Sequence, residues 1–351
     1  MYLSLMNRGF FSTLKKPIIA LAPMDGVTDQ PFRHMMCKYS HPSFMVTEFT
    51  DAEGLAHGNL QSFNAFYFTP AEQPLVAQIH GITPEGFYKA AILIGHLGFD
   101  GLDLNMGCSD PRIIKKGSGA ALIQNRVLAK ELIQSAQKGL QDFANGITVE
   151  EAGIHPDILA AIKARQIQPT APRLLPLSIK TRLGFHRIAI KSWIPFLLEQ
   201  KPTVIALHGR TFAQLYRGEA NWEAIMAAAE LAHETKTWLF GNGDIKSYND
   251  AIKKIKTFGV DGVLVGRSVQ GNPWFFSDHQ PTPEESMLAA IEHTHYLETQ
   301  CPEIHFQRIR KHLGWYCHHL PGSRKLRNEL MQVETATEVE EKIKNFLKGI
   351  L

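Results

Sequence analysis

Short apolar runs that end in polar or glycine-rich residues recur eight times along this chain, and that rhythm restricts its fold more than any single motif does. Ile18-Ile19-Ala20-Leu21-Ala22 leads into Pro23-Met24-Asp25-Gly26, Phe44-Met45-Val46-Thr47 into Glu48, and Leu75-Val76-Ala77-Gln78-Ile79 into His80-Gly81. Gly101-Leu102-Asp103-Leu104 turns polar at Asn105, Leu177-Ser178-Ile179 leads into Lys180-Thr181-Arg182, and Val204-Ile205-Ala206-Leu207 into His208-Gly209-Arg210. Thr237-Trp238-Leu239-Phe240 leads into Gly241-Asn242-Gly243-Asp244, and the run 260–265 into Gly266-Arg267. Helical patterns occupy 84–97, 120–140, 189–200, 222–233 and 247–258. Strands that are apolar throughout, rather than alternating, suit a parallel sheet covered on its outer face. Eight of them alternating with helices over about 260 residues predict an α/β fold, a (β/α)8 TIM barrel.

Two stretches break the rhythm. The connection 142–176 contains His155-Pro156, Pro169, Pro172 and Pro176, with a short helix expected at 158–164. It reads as an insertion, with a lid as its expected role, because long loops in compact domains tend to be functional or mobile. After Trp274-Phe275-Phe276 a linker at 277–283 precedes a charged, helical remainder broken at Pro302 and at Pro321-Gly322. The expected division is a barrel at 1–279 and a small C-terminal helical domain at 280–351.

Bulk properties exclude some classes. With 44% hydrophobic and 20% charged residues, the composition is that of an ordinary globular chain. A net charge of +3 permits a polyanionic partner without requiring one. Cys37, Cys108, Cys301 and Cys317 lie far apart and form no CxxC pair. Their spacing argues against a metal knuckle or a disulfide framework and fits a reducing compartment. No apolar run approaches the ~20 residues of a membrane span. The start, MYLSLMNRGFFSTLKK, lacks both acidic residues and the apolar core of a secretory signal, so a cytoplasmic protein is expected. No segment shows a self-complementary face, and a monomer is expected.

Chemistry concentrates where strands end. In a barrel of this kind the C-terminal ends of the strands build the site. Those ends present Pro23, Met24, Gln78, Asn105, Cys108, Lys180, Arg182, His208, Asn242 and Arg267. A lone cysteine usually acts as a small buried hydrophobe, but Asn105, Ser109, Asp110 and Arg112 are poor company for a core thiol. Gly241-Asn242-Gly243-Asp244 and Gly266-Arg267 follow the seventh and eighth runs, the usual phosphate site of the fold. Neither a Walker lysine motif nor a GxGxxG follows the first strand. Gln78 and Lys180 suit the polar edge of a flat heterocycle, and FMN fits these needs best. In the C-terminal region, Arg308, Arg310, Lys311, His312, Arg324, Lys325 and Arg327 are interleaved with Trp315 and Tyr316. Such a mixture can follow a phosphate backbone and stack on bases, or be a solvated face over a buried aromatic stripe.

The ordered motifs resemble those of the tRNA-dihydrouridine synthases, FMN enzymes that reduce selected uridines in tRNA. They are APMDGVTDQPFR (22–33), QIHG (78–81), LDLNMGC (102–108), GSGAAL (117–122), KTR (180–182), HGRT (208–211), GNGDI (241–245) and DGVLVGR (261–267). Further on, RKHLGWY (310–316) and PGSRKLR (321–327) resemble the family's helical RNA-binding domain. The resemblance implies FMN contacts at Pro23, Met24, Gln78, Lys180, His208, Asn242, Gly243, Gly266 and Arg267, with NADPH as transient reductant. It implies Cys108 as the general acid, Asn105 and Arg182 near the target uracil, and tRNA contacts at Arg308, Arg310, Lys311, Arg324, Lys325 and Arg327. No metal is implied. Two departures stand out: Ser109 occupies the family's usual proline position, with Pro111 two places on, and 142–176 is long. The rival expectations are an FMN barrel oxidoreductase acting on a small pyrimidine, such as a dihydroorotate or dihydropyrimidine dehydrogenase, and an RNA-binding barrel without chemistry. Truncation after Ser277 would separate the first, and a colourless purified protein would favour the second.

Overall fold

The structure, a computed structural model, describes residues 8–167, 170–318, 320 and 322–349. The first seven residues, Pro169 and Pro321, all used in the reading above, lie outside them. Eight strands form one closed barrel in chain order: β1 (Ile18–Leu21), β2 (Met45–Asp51), β3 (Leu75–His80), β4 (Gly101–Met106), β5 (Leu177–Arg182), β6 (Val204–His208), β7 (Trp238–Asn242) and β8 (Gly262–Val265). Neighbours pair in parallel, and β8 closes on β1 through Ile18↔Gly262 to Leu21↔Val265. All residues of β3, β4 and β6 are buried, as strands enclosed on both faces must be. The base of the barrel is plugged by Phe11, whose ring meets Phe44 at 5.3 Å and Phe240 at 6.1 Å, centroid to centroid.

Two elements differ from the sequence reading for local reasons. β2 continues past Thr47 to Asp51, across a register shift between Val46 and Phe49. A bulge of this kind bends a strand and re-aims its side chains, and Glu48 lies within it. The helix expected at 120–140 is two elements, a 3-10 turn (Gly119–Ile123) and a helix (Arg126–Ala144). Asn125 starts the second by accepting a hydrogen bond from the Leu128 N–H.

The described residues of the segment 142–176 do not cover the mouth. Its helix (Pro156–Ala164) lies beside the short helix Leu60–Asn64, with the Arg165 guanidinium over the Phe63 and Tyr67 rings. Further on, Arg173 donates to the Phe99 carbonyl and pairs with Asp100, just before β4 begins. The packing is on the flank and base, so the lid expectation is not met.

Among the described residues, four α-helices follow the barrel: Pro283–Gln300, Ile309–Tyr316, Arg324–Leu330 and Ala336–Lys348. Met287, Ile309, Leu313 and Tyr316 belong to the same apolar cluster as Phe32 and Met36 of the barrel's first helix. Gln30 donates to the Tyr296 hydroxyl at 2.8 Å, and Arg308 pairs with Glu48 at 2.7 Å. Truncation after Ser277 would therefore uncover core, and would test folding as much as substrate choice.

Candidate active site

Two adjoining cavities open at the C-terminal ends of the strands. The larger, about 530 Å³, is lined by residues including Met24, Gln78, Asn105, Cys108, Lys180 and Arg182. The smaller, about 140 Å³, is lined by residues including His208, Asn242, Gly243, Gly266 and Arg267. Pro23, Met24, Lys180, Arg182, Tyr216 and Arg267 border both. Every barrel residue expected at the site thus borders this space, because each lies in or just past the C-terminal half of a strand of the same closed sheet.

The cysteine is mounted by a chain of hydrogen bonds rooted in the barrel. Asp103, mid-strand in β4, accepts from the Ser178 hydroxyl and from the Gln78 amide at 2.6 Å. That fixes Gln78 so that its oxygen accepts from Asn105 Nδ2 at 2.9 Å. The Asn105 oxygen in turn accepts the N–H groups of Gly107 (3.1 Å) and Cys108 (2.8 Å). Burial pushes Asp103 up to about 6, while its two hydrogen bonds pull the other way. Above that pH it is a carboxylate, the acceptor-only form the relay requires. Sequence reasoning passed over Asp103, although a carboxylate inside an apolar run was a signal for it.

The Cys108 loop packs as closely as the chain permits. A Cβ at Gly119 would lie 2.9 Å from the Cys108 carbonyl oxygen, and Gly119 adopts φ +62°. No other residue type meets both demands without strain. Cys108 Sγ accepts the Asp110 N–H at 3.4 Å, and burial raises its pKa above the ordinary thiol value. The sulfur is therefore held as the neutral thiol near pH 7.

Arg182 does more than the sequence implied. It is buried, and donates through Nε to the Gly107 carbonyl (2.7 Å), through Nη1 to the Thr211 and Leu215 carbonyls (3.2 and 3.3 Å), and through Nη2 to Ser109 Oγ (3.3 Å). Four of its five N–H donors thereby tie the cysteine loop to the loop after β6, leaving one for a ligand. Ser109, the departure from the family pattern, supplies one of those ties.

Charge around the smaller cavity is positive. Lys180 is lowered to about 8 by burial first and by Arg182 second, so it is cationic at pH 7. His208 is held neutral by burial and by the cations near it. Gly243, at φ +123°, has no room for a side chain: a Cβ would lie 2.8 Å from that of Ala220. Asp244, read in the sequence only as the end of the glycine-rich turn, bridges Arg210 at 2.6 Å and Arg267 at 3.0 Å. Arg267 also lies over the Tyr216 ring at 5.1 Å. Tyr216, which the sequence did not single out, is 62% exposed at the rim.

The C-terminal cations divide into two sets. Arg324, Lys325 and Arg327 are exposed on one short helix. Arg308 pairs with Glu48 and Asp29, Arg310 pairs with Glu334, and Lys311 lies half-buried near Gly26. Of the two alternatives left open by the sequence, the buried stripe holds at Tyr316 and His312, which lie in the core, 5% and 2% exposed. Among the described residues no helix is long and apolar enough to cross a membrane, and no cluster of metal-ligating side chains is present.

Comparison with known proteins agrees with this arrangement. The sequence model described as Dihydrouridine synthase (Dus) matches residues 20–150 and 155–350. A "Probable tRNA-dihydrouridine synthase" of Staphylococcus epidermidis is 31% identical over 350 residues, covering 97% of this chain and 97% of the relative. The "Probable tRNA-dihydrouridine synthase 2" of Bacillus subtilis is 31% identical over 358 residues, 99% of each. Family match, closed parallel barrel and convergent site residues together mean that this chain belongs to the dihydrouridine synthase family.

Proposed function

We propose that this protein reduces specific uridines of tRNA to 5,6-dihydrouridine, with FMN as bound cofactor and NADPH as reductant. The observation that carries the reading is the neutral Cys108 thiol, clamped by Asn105, facing a cavity continuous with a small cationic one. The residues present fit FMN. Arg267, Asn242, Gly243 and Gly266 would hold the phosphate in a cradle that a side chain at Gly243 would fill. Pro23, Met24, Gln78, Lys180 and His208 would hold the rest of the cofactor. When bound, FMN reduced by NADPH supplies the hydride that adds to C6 of the uracil.

The chain's own residues do the remainder. A stacked base is out of reach, so the uridine must leave its stack and enter the larger cavity. Asn105 and the one unengaged N–H of Arg182 orient the uracil. Cys108 holds the proton that C5 receives, and the balance is one hydride and one proton for one reduced double bond. Lys180, cationic below about pH 8, stabilises negative charge developing beside it. Arg324, Lys325 and Arg327 are the phosphate contacts of the tRNA-binding helices. Arg308 and Arg310 reach phosphate by exchanging their present partners, and half-buried Lys311 contacts it beside them.

The test is purification under native conditions, followed by incubation with an unmodified tRNA transcript and NADPH and mass-spectrometric mapping of dihydrouridine. A yellow protein that adds two mass units at defined uridines is expected. A colourless protein, or a yellow one active on free pyrimidines but not on tRNA, would overturn the reading.

A further inference from the structure

The loop after β6 presents an apolar side chain where none is needed for folding. Leu215 is 41% exposed, borders the larger cavity with Cys108, and adopts φ +53°. Left-handed backbone is unfavourable for a leucine, because its Cβ crowds the following carbonyl. The surroundings nonetheless hold it there. The Leu215 N–H donates to the Phe212 carbonyl at 2.9 Å, and its own carbonyl accepts from buried Arg182. Gln214 and Thr211 bond to each other across the turn, and Arg217 donates to the Ala213 carbonyl. A strained, exposed leucine on a rigid turn at the edge of a site calls for a functional reason.

We propose that Leu215 is a wedge: it fills the gap left in the RNA stack when the target uridine is extruded into the cavity. The inference rests on the reading of the protein as a tRNA uridine reductase and deepens it. Extrusion removes a base from between its neighbours, and those neighbours collapse together unless something occupies the space. Apolar side chains inserted at base steps serve this purpose elsewhere in nucleic-acid recognition. The occupant of this patch is therefore the pair of bases flanking the target, on an RNA strand. The local charge agrees, since Arg187 and Arg217 are exposed on the loops around the leucine, placed for the phosphates of that strand.

Two kinds of variant separate the wedge from the turn that carries it. Leu215→Gly and Leu215→Asn remove the apolar bulk while suiting left-handed backbone, so thermal stability should be equal or higher. Leu215→Met retains bulk. With full-length, flavin-loaded enzyme and a tRNA transcript, dihydrouridine formation is measured in single turnovers at saturating tRNA, beside the tRNA Kd. The first two variants should be about tenfold slower with Kd changed less than about twofold, because phosphate contacts dominate affinity. Leu215→Met should stay within about twofold of the parent rate. A parental rate in Leu215→Gly and Leu215→Asn, a loss shared by Leu215→Met, or a loss confined to Kd would overturn the wedge while leaving the proposed activity standing. A parent enzyme that forms no dihydrouridine in tRNA removes the activity, and the wedge with it.

Discussion

The barrel mouth and the C-terminal helices both gather polar residues, but they hold them in opposite ways. At the mouth each group is oriented by another: Ser178 and Gln78 by Asp103, Asn105 by Gln78, the cysteine loop by Asn105, two loops by Arg182. On the last helices, Arg324 and Arg327 are exposed, and Lys325, 91% exposed, has only a 3.9 Å contact to Glu329. Buried networks concentrate large effects in single side chains, whereas exposed cations act as a sum of small, salt-screened terms. Geometry is decisive in the first region and number in the second.

That contrast breaks most easily at the thiol. Cys108→Ala should lower dihydrouridine formation by about 10²–10⁴-fold, the range of general-acid catalysis, while FMN remains bound. Quenched-flow product analysis and flavin absorbance check both halves. Arg182→Lys comes next. A point-like ammonium cannot serve four acceptors in a planar fork. Loss of about 2–4 kcal/mol of stability is expected from the carbonyls left unsatisfied, read by urea unfolding, together with a fall in rate.

Acidity should then report on the mouth. Asp103, raised to about 6, loses its charge below that pH, and Lys180, lowered to about 8, loses its charge above that pH. Single-turnover rates should plateau between about 6 and about 8 and fall by up to about tenfold per unit on either side. A profile flat from pH 5 to 9 would remove both groups from the reaction. The triple change R324A/K325A/R327A should leave that profile intact. It should weaken tRNA binding and reduce the slope of log K against log salt by about 2–3, measured by filter binding across a salt series. The smallest effect expected is at Arg310, already paired with Glu334. Arg310→Ala should shift tRNA affinity less than about twofold, and a change as large as that of the triple variant would erase the distinction between the two cation sets.

Which residues gather at the mouth was readable in advance because parallel strands enclosed on both faces are apolar throughout. The polar residues that close each run therefore lie toward a strand's C-terminal end, and in a closed barrel all such ends share one face. Asp103 escaped because a single carboxylate inside an apolar run says nothing about what it holds. The faces of the C-terminal helices were not readable: His312 and Tyr316 share a helix with Arg310 and Lys311. Amphipathic spacing shows that two faces exist, not which one docks.

By itself, then, the order of residues determined the barrel, the family and the place of the cysteine, since local periodicity and short motifs carry all three. Tertiary structure alone decided that Arg182 ties two loops and that Leu215 stands strained at the rim. It also decided that the described residues of 142–176 lie away from the mouth and that Arg308 and Arg310 are paired with carboxylates. Those facts depend on partners distant in the chain, such as Glu48 for Arg308 and Thr211 for Arg182. Hydrogen bonds and ion pairs act over a few ångströms of space, and only the folded chain sets those distances.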